Sequence, residues 1–203
     1  MDYMEAHELL KKFGIKALEA KYVSSADEAV KFSLGKPIVM KLISDKAIHK
    51  SKSGLVKLGL NSKEDIAKAF TELKAKGAEL RPYKILVQRQ VSGGTEIIIG
   101  GNTDDQFGKL ILLGLGGIYV EVFKDVSVRV CPISRYDAES MLEGLKAKSI
   151  IAGDEKSKNM VISLLLKVSE MLVKNESISE LDLNPIILHD GTYDAVDLRI
   201  IKK

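Results

Sequence analysis

The chain has 203 residues, 45% hydrophobic and 29% charged, with a formal net charge of +3 at pH 7. That balance fits a globular protein with a real core and excludes a disordered or low-complexity chain, while the mild basicity and the absence of Trp exclude a nucleic-acid-binding signature. One cysteine, Cys131, excludes an internal disulfide, and with no apolar run near 18 residues neither a membrane span nor a signal peptide is expected, so a cytoplasmic protein is read.

"DYMEAHELLKKFGI" spaces Met4, Ala6, Leu9, Leu10 and Phe13 as an amphipathic helix ending at Gly14. "SSADEAVKFSLG" predicts a second helix, with Ser25 as N-cap, Glu28 completing a capping box and Gly35 closing it before Pro37. "PIVMKLI" reads as a buried strand, and "NSKEDIAKAFTELKAKG" as a third helix with Ser62 and Asp65 in cap positions and Ile66, Phe70 and Leu73 on one face. From residue 84 the texture changes. "KILVQRQV", "TEIIIGG", "KLILLGL", "IYVEVF" and "VSVRVCPI" are short apolar strands separated by glycine or polar turns, which predicts an antiparallel sheet. Two helical stretches follow, and "ISELDLNPIILHDGTYDAVDLRII" closes the chain as a hairpin turning at Asp190-Gly191. The fold class is α+β, with two lobes expected at residues 1–84 and 85–203.

The hairpin turn sets a register. With Asp190 and Gly191 as turn residues, positions summing to 381 face each other, which places Asn184 opposite Asp197 and Arg199 opposite Asp182. Side-chain alternation puts Asp182 and Asn184 on one face, so the hairpin is either a site for a hard cation such as Mg²⁺ or a solvated polar face with an Asp182–Arg199 ion pair. The loop "HKSKSGLVK" gathers His49, Lys50, Ser51, Lys52, Ser53 and Gly54, donors of the kind that wrap a polyphosphate, without Walker spacing. Lys41 interrupts a buried strand, where a lysine is costly unless an anion meets it. Glu96 and Glu121 lie in glycine-rich strand connections, and "LGLGG" lacks the spacing of a dinucleotide fingerprint. Cys131 reads as a buried structural thiol, and His7 and His189 as surface residues.

In order and spacing, "PIVMKLIS", "IHKSKSGLVKLGL", "VQRQVSGGTEIIIGG", "DDQFGKLILLGLGGIYVEVFKDVSVRV" and "ELDLNPII…AVDLRI" resemble the ATP-grasp β subunits of ADP-forming acyl-CoA synthetases, relatives of succinyl-CoA synthetase. The resemblance spans nearly the whole chain. It implies a two-lobed ATP-grasp fold with nucleotide between the lobes, Mg²⁺ and ADP/ATP as cofactors, and a separate CoA-binding, phosphohistidine-carrying α subunit in an α2β2 complex. The implied reaction turns acyl-CoA, phosphate and ADP into acid, CoA and ATP. Carried onto this sequence, Lys41, Ser51 and Gly54 contact the phosphates, Val87, Gln88, Arg89, Gln90 and Val91 border adenine, and Glu96 lies near the ribose. Asn184 and Asp197 are the Mg²⁺ ligands with Asp182 beside them, Arg129 steadies the phosphoryl group, and His49 accepts it transiently. Lys52 and Leu55 depart from the family's loop, and Arg89 and Gln90 from its hinge. These changes leave a nucleotide-binding regulatory or assembly module without turnover as the alternative.

Overall fold

A computed structural model describes residues 1–44, 46, 54–117, 125–189 and 191–203. The chain divides into two compact units, Leu18–Ser92 and a larger one formed by Met1–Ala17 with Gly93–Lys203. This differs from the expected division at 84/85 in two respects, each with a physical cause. First, β4 (Lys84–Arg89) is an inner strand of the smaller unit, hydrogen-bonded on both edges to β1 (Ala20–Val23) and β2 (Ile38–Ile43). Splitting it off would orphan two ladders of backbone groups. Second, α1 (Tyr3–Lys12) packs on β10 (Leu198–Lys202), and the terminal ammonium of Met1 donates to Ile200 O at 3.1 Å.

The smaller unit is a four-stranded antiparallel sheet of order β1-β4-β2-β3, where β3 is Val56–Leu60. Two helices, α2 (Ala26–Ser33) and α3 (Lys63–Gly77), join the apolar side of the sheet in one core that includes Ile38, Met40, Leu42, Ile85, Val87, Phe70 and Leu73. Each helix starts where predicted. Ser25 Oγ accepts from Glu28 N at 3.2 Å and Ser62 Oγ from Asp65 N at 3.0 Å, satisfying otherwise orphaned donors. The Glu28 carboxylate turns to Ser24 N at 2.8 Å, one residue before the N-cap, so the expected capping box is replaced by this neighbouring bond.

The larger unit holds β5 (Thr95–Asp104), β6 (Gly108–Leu115), β7 (Val126–Val130), β8 (Ile178–His189) and β9 (Thr192–Ala195). Its six-stranded antiparallel sheet has the order β10-β8-β5-β6-β7, with β9 also paired to β8. The helices are α4 (Arg135–Glu143), α5 (Lys148–Ile151) and α6 (Glu155–Lys174). Along β5, Ile97 and Ile99 are fully buried, and Gly101 continues that side of the strand, where an added Cβ would meet Leu172 of α6 at 2.8 Å. Ile111, Leu113 and Leu183 complete this covered face, each burial being worth roughly 1.5–3 kcal/mol. The other face is open. The expected strand "IYVEVF", residues 118–123 and including Glu121, lies outside the described residues.

Candidate functional site

The terminal hairpin adopts the predicted register. His189 pairs with Thr192, Ile187 with Asp194, Leu183 with Leu198 and Asp182 with Arg199, every pair summing to 381. Gly191 has φ +68, the left-handed conformation such a tight turn favours in glycine. Between the two paired stretches, Asn184 N donates to Asp197 O at 3.2 Å. A register irregularity does occur near Pro185, which has no N–H to give, but it falls on the other edge. There the β5 pairing shifts between Ile97, opposite Ile186, and Ile99, opposite Leu183.

Cross-strand partners share a face, so the ladders lay out the open face row by row. One row runs Arg199, Asp182, Gly100, Leu112, Val128. On one side of it Asn184 and Asp197 are followed across the sheet by Ile98, Gly114 and Val126; on the other lie Ile201, Glu180, Asn102, Leu110 and Val130. The face is polar at the β8–β10 end and apolar toward β7, where Val126, Val128 and Val130 are exposed.

Although the Asp182 side chain reaches solvent, enough protein surrounds its carboxyl that desolvation pushes its pKa above the ordinary value. The charge of Asp197 adds to this and Arg199 opposes it. Two carboxylates that feel each other's charge beside an amide, Asn184, form a donor set that a hard cation relieves. The number suits Mg²⁺, which takes one or two carboxylates and fills its octahedron with phosphate oxygen and water. Among the described residues no cluster of three or more His, Cys, Asp or Glu is assembled for a metal. The residues fit Mg²⁺ carried with a nucleotide.

Arg129 does not join this group. It pairs with Ile111 on the covered face, where Nη2 donates to Ser140 Oγ of α4 at 2.9 Å and Nη1 to Val128 O at 2.8 Å. Side-chain alternation turns it away from Asp182, so the expected contact with a phosphoryl group is not formed on that face.

In the smaller unit Lys41 pairs with Leu86, and Val39 with Gln88, so these four occupy the face opposite the helix-packed core. Lys41 is 5% exposed and Gln88 0%. Val87 belongs to the core. Arg89 is held by Glu19 Oε2 at 3.0 Å, Ser33 O at 2.7 Å and the Phe32 ring at 4.6 Å, while Gln90 Oε1 accepts from Gly59 N at 2.7 Å. Both side chains therefore brace their own unit. Val91 is half-buried just beyond β4. Gly54 has φ +66, and an added Cβ would meet Lys76 Nζ at 2.6 Å. Leu55, which departs from the family loop, is 3% exposed in the core, and its carbonyl accepts from Leu42 N at 2.9 Å. His49, Ser51 and Lys52 lie outside the described residues.

Glu96 is exposed and borders a cavity of about 730 Å³, shared with Gly116, Gly117, Asp125, Lys146 and Ile150. Asp125 anchors one wall by accepting from Lys146 N at 2.9 Å and Ala147 N at 2.8 Å. His7 and His189, expected at the surface, are half-buried; His189 Nε2 lies 2.8 Å from Asp194 Oδ2, whose Oδ1 meets Lys16 Nζ at 3.0 Å. Burial pushes the Cys131 thiol up, opposed by Ser169, consistent with a structural role. The residue sequence reasoning undervalued is Arg199. Its register is the predicted one, and the ion pair with Asp182 that the solvated-face alternative expects does not form among the described residues.

Residues 1–201 match the family described as the ATP-grasp domain. The acetate–CoA ligase [ADP-forming] I subunit beta of Pyrococcus furiosus is 39% identical over 207 residues, covering 97% of this chain and 89% of that protein. The dinucleotide-forming acetyl-coenzyme A synthetase 1 of Candidatus Korarchaeum cryptofilum, in complex with coenzyme A, Ca-AMPCP and HgCl⁺, superposes with a TM-score of 0.90 at 38% identity, covering 98% of this chain and 92% of that one. A second structure of that protein, with coenzyme A and Mg-AMPPCP and its phosphohistidine segment pointing towards the nucleotide binding site, gives 0.85 at 36% identity, covering 100% and 92%. By matches of this extent to sequence and structure alike, the chain belongs to the ATP-grasp domain family, in the branch of the ADP-forming acetate–CoA ligase β subunits.

Proposed function

We propose that this chain is the nucleotide-binding β subunit of an ADP-forming acyl-CoA synthetase of the acetate–CoA ligase type. With a CoA-binding α subunit, in an α2β2 complex, it exchanges phosphoryl between a phosphohistidine and Mg-ADP/ATP. The observation that carries the reading is the placement of Asp182, Asn184 and Asp197 together on the open face of the larger sheet, by a register that the hairpin turn imposes.

In the ATP-forming direction the P–N bond of the phosphohistidine breaks as a terminal ADP oxygen bonds phosphorus; the imidazole keeps the electron pair and takes up a proton. Such a transfer needs positioning and charge neutralisation more than covalent machinery. Bound Mg²⁺ supplies neutralisation at the phosphate oxygens. Asp182, Asn184 and Asp197 hold the cation, and the Lys41 ammonium, set in a buried strand face, favours phosphate. Glu96 meets the ribose. His49, between Lys41 and Gly54 in sequence, carries the phosphoryl transiently: its neutral imidazole nitrogen bonds phosphorus as the P–N bond to the α-subunit histidine breaks, and the P–N bond so formed is the one that ADP then displaces.

The test mixes this chain with its α partner, acyl-CoA, phosphate and Mg-ADP and follows ATP. Sustained ATP formation is expected, whereas tight ADP binding with no ATP would favour a module without turnover. His49→Ala should keep ADP affinity and lose transfer; unchanged turnover in the complex would overturn the histidine's role.

A further inference from the structure

We propose that Arg199 is a phosphate-binding residue of this site, its guanidinium gripping the polyphosphate of the nucleotide beside the cation held by Asp182, Asn184 and Asp197. The inference rests on the nucleotide reading above and adds a residue to it. Three observations carry it.

Arg199 stands directly across from Asp182, on the open face, so its side chain rises from the same patch as the three oxygen-bearing residues. It is the sole cation in these three rows, which otherwise carry Glu180, Asp182 and Asp197 as their charges. It is exposed, and among the described residues its guanidinium enters no hydrogen bond or ion pair, although two carboxylates lie on adjoining positions.

A structural arginine in that setting would close a bidentate pair with one of those carboxylates, because five donors in a planar fork match a carboxylate well. This one leaves its fork open. Cross-strand neighbours stand about 5 Å apart, well within the reach of an arginine side chain, so a phosphate oxygen held by a cation at Asp182 and Asn184 comes into hydrogen-bonding range of Arg199. Gly100, the next residue in the same row, adds no side chain to crowd that approach. A guanidinium here neutralises phosphate charge beside the cation, which favours phosphoryl transfer. Arg129, which sequence reasoning favoured for such a contact, is turned to the covered face by the parity of its strand.

The experiment measures Mg-ADP, Mg-ATP and adenosine binding by calorimetry to the intact chain and to Arg199→Gln and Arg199→Lys, with melting curves for each. Arg199→Gln should bind ADP and ATP at least ~10-fold more weakly, about 1.4 kcal/mol, with adenosine unchanged and Arg199→Lys intermediate. An unchanged ratio of ADP to adenosine affinity in Arg199→Gln, whether both weaken together or neither does, overturns the assignment. A wild-type chain that binds no Mg-ADP overturns the nucleotide reading itself, a result readable before any variant is made.

Discussion

The backbone N–H of Asn184 donates to the carbonyl of Asp197 at 3.2 Å, bridging the gap between the two stretches where β8 pairs with β9 and with β10. This bond keeps one register from the turn to Ile201, opposite Glu180, and so keeps the Asn184 amide beside the Asp197 carboxylate. Replacing both side chains, Asn184→Ala with Asp197→Ala, should raise the Mg²⁺ concentration needed for half-maximal turnover of the complex at least ~10-fold, about 1.4 kcal/mol. A Mg²⁺ titration checks it, and an unaltered midpoint would remove the metal assignment.

Lys41 carries its ammonium in a strand that is otherwise apolar and buried. Lys41→Ala should weaken Mg-ADP binding at least ~10-fold at a temperature where the variant is fully folded, so that the lost phosphate contact is read apart from any change in stability. Calorimetry and a thermal melt on the same preparation separate the two effects.

Arg89 ties β4 to Glu19, to Ser33 at the end of α2 and to the Phe32 ring. Arg89→Ala should destabilise the smaller unit by about 1–2 kcal/mol, the order expected for a charged hydrogen bond with ring contact. Its ADP affinity at a temperature where the chain is fully folded should change less than twofold. A larger loss of affinity would return this side chain to the nucleotide hinge.

Leu55, at the end of the loop that follows Lys41, serves the core of the smaller unit. Leu55→Gly removes a buried side chain and should cost about 2–5 kcal/mol in urea unfolding. Full stability in the variant would show that the loop end tolerates either residue.

Asp104 closes the β5–β6 turn by accepting from Gln106 N at 2.8 Å and Phe107 N at 2.9 Å, and these bonds, Phe107 first, hold its pKa below the ordinary value. A lowered carboxylate pKa means that the contribution is present above the ordinary Asp value and disappears as pH falls through the lowered one. The protection factors of the Gln106 and Phe107 amides, measured by NMR against the intrinsic exchange rate at each pH, should therefore fall on acidification below the ordinary Asp range. Asp104→Asn should show no such step.

Much of the site was legible because strand geometry is arithmetic once a turn is recognised. Asp190-Gly191 set the register, and Asp182, Asn184, Asp197 and Arg199 followed from period-two alternation. The N-caps at Ser25 and Ser62 were equally local, each a side chain bonding a backbone group three residues on. The four-residue β1 escaped notice because "AKYV" is too short for a clear alternation, and it was recognised only through its pairing with β4.

Local chemistry is therefore readable along the chain alone: caps, the hairpin register, the buried lysine, and the family whose motifs those residues spell. Tertiary structure alone decided which unit owns β4 and α1, because both are claimed by partners distant in the chain. It also decided which face each charged residue serves. Arg129 and Arg199 both interrupt apolar strands, and nothing in their neighbouring residues says that one bonds a helix and the other faces open space. That distinction comes from where α4 packs against the sheet, a relation between elements that short-range patterning does not encode.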